Sequence, residues 1–86
     1  MRHATGSTLA RIDRLLAAIR REQRVKERRA GIFYVKGQAF LHFHDDPAGI
    51  FADLKRDGNW VRFAVNTKTE QEHLLQSVAK VLTESQ

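Results

Sequence analysis

Over the middle of the chain, from Gly31 to Val65, short apolar runs alternate with turn residues, and apolar positions spaced three to four apart flank that stretch on both sides. The central runs are Ile32–Val35, Ala39–Asp45, Ile50–Lys55 and Asn59–Val65, separated by Lys36-Gly37, Asp46-Pro47-Ala48-Gly49 and Asp57-Gly58. Runs of this length between turn signals predict β-hairpins. Asp57-Gly58 suits a type I′ turn, which needs positive φ at both centres. Asp-Pro-Ala-Gly suits a type I turn whose proline pre-sets φ. Lysine is not favoured at positive φ, so the Lys36-Gly37 turn rests on its glycine.

Before this stretch, Leu9, Ile12, Leu16 and Ile19 recur at helical spacing and predict a helix over about 8–24, capped by Ser7 or Thr8. After it, Thr67-Lys-Thr-Glu70 and Thr69-Glu-Gln-Glu72 both match the capping-box spacing. Leu74, Leu75, Val78, Val81 and Leu82 then predict a second helix over about 68–84. The expected fold is α+β, in the order α-β-β-β-β-α: a two-layer domain with both helices on one face of a four-stranded antiparallel meander. Residues 1–7 read as a flexible lead-in and 8–86 as a single domain. A rival arrangement puts one helix on each face of the sheet.

Pairing outward from each turn assigns every strand residue to a face. The core face takes the rows Ile32–Leu41–Leu54–Val61, Phe43–Ala52–Phe63 and Ile50–Val65. A slip of one residue in any hairpin would scramble it. The opposite face takes Phe33–Phe40–Lys55–Trp60, His42–Asp53–Arg62 and His44–Phe51–Ala64. A face left to water should be mostly polar, yet Phe33, Phe40, Phe51 and Trp60 all fall on it. At ~150–250 Å² of buriable surface each, they would form a patch of several hundred Å² that needs a cover. The leading expectation is a homodimer through this face. Phe33, Phe40, Phe51 and Trp60 would serve as anchors, with His42, Asp53, Lys55 and Arg62 as the polar complement.

Composition narrows the alternatives. Eighty-six residues, 42% of them hydrophobic, make one domain with a modest core. The absence of cysteine excludes disulfides and thiolate metal sites. No apolar run approaches the ~18 residues of a membrane span, and residues 1–8 lack a signal peptide's hydrophobic region. A cytoplasmic protein without a membrane partner is expected. The net charge is +5 and the pI about 10.2, which permits an acidic partner without identifying one. Arg20, Arg21, Arg24, Lys26, Arg28 and Arg29 are opposed only by Glu22 and Glu27. This run supports a second expectation, nucleic-acid binding through phosphate contacts. Its plain alternative is a solvated helix end whose arginines complement the helix dipole.

Candidate chemistry gathers on the open face. His42 and His44 lie on one side of a strand because side chains alternate, and Asp53 faces His42. Two imidazoles and a carboxylate could hold a divalent ion with an open position, which supports a third expectation, a metal- or ligand-dependent enzyme centred on His42, His44 and Asp53; the plain alternative is two strand histidines with ordinary hydrogen bonds. His3 and His73 have no evident route into that group. The row His42–Asp53–Arg62 reads as a cross-strand charge ladder, or as a base oriented by a carboxylate. No serine, threonine or cysteine on this face is placed as a nucleophile, so a non-enzymatic role is expected and no cofactor is assigned. Trp60 and Phe40 around Lys55, with Phe33 beside them, could also stack a nucleobase or other planar ligand.

The run Gly31-Ile-Phe-Tyr-Val-Lys-Gly-Gln-Ala-Phe-Leu-His-Phe-His-Asp-Asp-Pro-Ala-Gly-Ile-Phe-Ala-Asp-Leu resembles a segment found in small uncharacterised bacterial proteins. It covers about a quarter of the chain. The resemblance implies a bacterial cytoplasmic source, carries no known activity and transfers no site residues.

Overall fold

The computed structural model describes residues 2–84. Met1, Ser85 and Gln86, which fall in the expected lead-in and at the end of the expected domain, lie outside the described residues. Two short helices, α1 (Gly6–Arg11) and α2 (Asp13–Arg20), replace the single expected one. Thr5, not Ser7 or Thr8, caps the first; its hydroxyl accepts from Thr8 N–H at 3.4 Å. The break falls at Ile12, whose N–H reaches back only three residues to Leu9 O, at 3.2 Å. That tightened turn ends one helix while Ile12 O accepts from Leu16 N–H to start the next.

The sheet is antiparallel and larger than the expected four strands. Its main path runs β2 (Lys26–Arg29), β3 (Ile32–Val35), β4 (Gln38–Asp46), β5 (Gly49–Arg56), β6 (Asn59–Ala64), in chain order. A two-residue strand, β1 (Arg2–His3), pairs with β4 off this path. So part of the expected lead-in is sheet. β2 is the unforeseen strand. The basic run does not simply finish the helix: its second half crosses into the sheet edge and turns at Ala30-Gly31 into β3.

Turn chemistry holds at the tips. Asp57 and Gly58 take φ of 50° and 80°, as a type I′ turn requires. Lys36 and Gly37 do the same, at 53° and 79°. At the third turn Asp46 pairs with Gly49, and Asp46 Oδ1 accepts from Ala48 N–H at 2.9 Å. Gly49, at φ 135°, leaves room for Asn66, whose amide brackets Ile50 with bonds of 2.8 and 3.2 Å.

The β4–β5 and β5–β6 registers match the sequence reading, from Asp45↔Ile50 and His42↔Asp53 to Asp53↔Arg62 and Lys55↔Trp60. The β3–β4 register does not. Tyr34 pairs with Ala39 as expected, but Phe33 then pairs with Leu41 and Ile32 with His42. Phe40 is an extra residue in β4, and this bulge turns Phe33 and Phe40 into the core while Ile32 moves to the other face. Phe33 is fully buried and meets Phe43 edge-on, 6.2 Å between ring centroids.

After the sheet, α3 (Lys68–Glu84) begins on the expected capping box: Thr67 Oγ1 accepts from Glu70 N–H, and Glu70 Oε1 from Thr67 N–H. Leu9, Leu15, Leu16 and Ile19 join Leu74, Val78 and Leu82 over Phe33, Phe40, Leu41, Phe43, Ala52 and Leu54 in one core. Each of these leucine, isoleucine, valine and phenylalanine side chains contributes roughly 1.5–3 kcal/mol by leaving water. The helices share one side of the sheet, and the rival with a helix on each face is excluded. Among the described residues no helix is long and apolar enough to cross a membrane.

Candidate functional site

The uncovered sheet face is where the titratable side chains meet. His42 and His44 project from β4, Asp53 and Lys55 from β5, Trp60 and Arg62 from β6, each placed by strand alternation and by the two registers that hold. Arg62 grips Asp53 with two parallel bonds, Nε to Oδ1 at 2.8 Å and Nη2 to Oδ2 at 3.0 Å. This bidentate hydrogen bonding, above all, holds the Asp53 carboxyl below its ordinary range, against a burial effect that pushes the other way. The same pairing raises Arg62 further. Asp53 Oδ2 also lies 2.9 Å from Nε2 of His44, its diagonal neighbour rather than its direct partner His42. His44 Nε2 in turn lies 2.6 Å from His42 Nδ1, and the His42 ring tilts onto Trp60 at 4.4 Å. Lys55 Nζ sits 5.2 Å from the Trp60 ring centre.

His44 and Asp53 are only 9% and 6% exposed, although no helix covers them. They contact one another, Asp53 Oδ2 to His44 Nε2 at 2.9 Å, within a small preorganised polar cluster. Trp60 stays 43% exposed and is the one large hydrophobic so exposed among the described residues.

The expected aromatic patch is accordingly smaller. Phe33 and Phe40 are core residues and cannot anchor a partner on this face. Phe51 remains there, half-buried, opposite Ala64. Ile32 and Tyr34 were not assigned to this face from the sequence. Both lie on it, because the bulge inverts β3.

The basic run divides by role. Arg20 pairs with Glu27 at 2.6 and 2.9 Å, joining α2 to β2, and Glu27 also accepts from Gly31 N–H. Arg20's hydrogen bonds keep the Glu27 carboxyl low. Arg24 donates to Leu82 O at the end of α3, at 2.8 Å. Arg28 lies over the Tyr34 ring, 5.4 Å from its centre. Arg21, Lys26 and Arg29 are exposed. The run is therefore half structural clamp and half sheet edge, and Arg28 carries positive charge onto the face that holds Trp60.

His73 lies apart on α3, edge-on to Phe63. β1 runs its backbone beside β4, with His3 opposite His44, a proximity that sequence spacing did not suggest. A cleft of about 490 Å³ bordered by Gln23, Arg24, Val35, Lys36 and Leu82 brings no carboxylate or imidazole together. No protein-family model, curated protein or solved structure matches the chain.

Proposed function

We propose that the protein is a non-enzymatic binding domain that works through its uncovered sheet face and takes single-stranded nucleic acid as its ligand. The observation that carries this reading is Trp60, 43% exposed on a sheet otherwise stripped of exposed large apolar groups, with Lys55 and His42 at its ring. An exposed indole beside a lysine ammonium matches what stacking platforms use: a ring for a base and positive charge for the phosphates. Tyr34 beneath Arg28 repeats the pairing at the β2–β3 edge. The basic edge strand and the aromatic face, separate features in the sequence, are one surface here. The net charge of +5 supplies the long-range attraction.

Homodimerisation through the same face is the second reading. Ile32, Phe51 and Ala64 favour it, each half-buried without a helix above. It has lost two of its four anchors, Phe33 and Phe40, which are buried in the core. The charge left on the face is mostly basic, from Arg28, Lys55 and Arg62 against Asp53, and that surplus makes an acidic ligand the better fit.

The test follows Trp60 fluorescence while single-stranded DNA and RNA oligonucleotides are added in the presence of chelator. Quenching at ~50 mM salt that weakens steeply by ~200 mM is expected. No binding at the lower salt would dispose of the reading. Light scattering on the free protein reports the alternative, and a stable dimer that Trp60→Glu dissociates would establish it.

A further inference from the structure

We propose that His42, His44 and Asp53 form a binding site for one divalent late first-row metal ion of the zinc type. The proposal stands apart from the nucleic-acid reading, which rests on the Trp60 ring and the Lys55 ammonium and not on the ring nitrogens and carboxylate used here. His42 Nδ1, His44 Nε2 and an Asp53 oxygen all lie within 4.8 Å of one another. They project from adjacent strands whose ladder is regular through this region, so the donors stand on rigid elements rather than loops.

Chemistry selects the ligand. Two ring nitrogens 2.6 Å apart and a carboxylate oxygen 2.9 Å from the second share a small, largely buried space. All three are electron-pair donors to a cation. A proton bridges one pair of them at a time, whereas a metal ion satisfies all three at once. Bonds of ~2.0–2.2 Å in tetrahedral geometry set ligand atoms about 3.4 Å apart, so the two nitrogens need to separate by less than about 1 Å. His42 is half-buried where His44 is buried, so the small ring rotation falls to His42. Two imidazoles and one carboxylate suit zinc and its neighbours, and do not suit magnesium or calcium, which require oxygen ligands.

Arg62 completes the design as an outer-shell partner. It bonds both Asp53 oxygens and fixes the carboxylate plane. Its own side chain is 52% exposed, so solvent screens much of its repulsion toward a bound cation. In that tetrahedral geometry three protein donors leave one coordination position for water or an anionic group.

The test uses the whole chain, stripped with chelator and titrated separately with Co²⁺, Cu²⁺ and Zn²⁺. One equivalent of Co²⁺ is expected to produce visible ligand-field bands. One equivalent of Cu²⁺ is expected to quench Trp60, the only tryptophan, whose ring lies 4.4 Å from that of His42. Zn²⁺ should abolish the Co²⁺ bands, whereas Cu²⁺, which binds such donors more tightly than zinc, should displace Zn²⁺ and quench Trp60 even in the zinc-loaded chain. By NMR, Zn²⁺ should shift the wild-type His42 and His44 ring nitrogens and leave His73 unmoved. His44→Ala should lower Co²⁺ affinity by more than about tenfold, the least that loss of an outer-shell partner costs. His44→Gln, which keeps a polar side chain in the ladder, serves as the second variant if alanine disturbs the sheet. Absence of saturable binding by the wild-type chain overturns the proposal. So does a Zn²⁺ response confined to His73, or affinity unchanged in folded His44→Gln.

Discussion

Phe33 lies opposite Leu41, not Phe40, and its ring meets Phe43 inside the core at 6.2 Å. A single extra residue in β4 decides whether this phenylalanine is a ligand-facing anchor or a packing element. Phe33→Ala should therefore cost ~3–5 kcal/mol, the range for deleting a buried aromatic. Urea unfolding measures it. A loss below about 1 kcal/mol would place Phe33 back on the surface.

Glu27 offers a pH test. Its carboxyl is lowered by hydrogen bonds from Arg20 and Gly31 N–H. A folded pKa below the unfolded one stabilises the fold fully above the ordinary value of 4.5, and that stabilisation is lost as pH falls through the lowered folded value. The stability gap between wild type and Glu27→Gln should thus be constant near neutrality and close on acidification. With Arg20 43% exposed, the gap should be about 1 kcal/mol or less. Urea midpoints from neutral pH down to about pH 3 follow it. A gap that widens with acid would contradict the assignment.

Gly49→Ala should destabilise through two effects at one atom. The φ of 135° is strained for any residue with a Cβ, and that Cβ would stand 2.7 Å from Asn66 Oδ1. The strain alone costs ~1–3 kcal/mol, which at ~4–8 °C per kcal/mol is readily seen in thermal unfolding. Gly37→Ala has positive φ but open space around it, so it should cost less.

Trp60→Ala should separate binding from stability. Its ring is half out of water, so unfolding should change little, while oligonucleotide affinity should fall by ~1–3 kcal/mol if a base stacks on it. Lys55→Ala should reduce the salt slope by about one if that ammonium meets a phosphate. Fluorescence anisotropy with a labelled oligonucleotide reads both. Equal binding by Trp60→Ala and wild type would remove the stacking surface from consideration.

Much of this architecture was legible because short-range chemistry fixes it. Asp57-Gly58 and the proline turn set two registers, and with them His42, Asp53 and Arg62 fell into one row. The Thr67–Glu70 box placed the start of α3. What escaped depends on contacts distant in sequence. The bulge at Phe40 follows from burying Phe33 against Phe43, which no local turn signal encodes. β2 carries no apolar alternation at all; Lys26–Arg29 is held as a strand by pairing with β3 and by the Arg20–Glu27 clamp. The His44–Asp53 contact is diagonal across the ladder. Direct opposition favoured His42 as the partner, although such diagonals lie within reach of long side chains.

The order of strands β2 to β6 across the sheet repeats their order along the chain. Each ladder on that path therefore closes through its own tight turn, at small entropic expense, and an ordering of this kind belongs to proteins that reach their native state quickly for their β content. The slow closures are elsewhere: β1 must cross to His44 and Asp45, and Arg24 must meet Leu82 near the end of the helix that follows the meander. Kinetically, the meander is the part of the molecule least dependent on the rest, and substitutions at its tips should register in the refolding rate before those in the helices do.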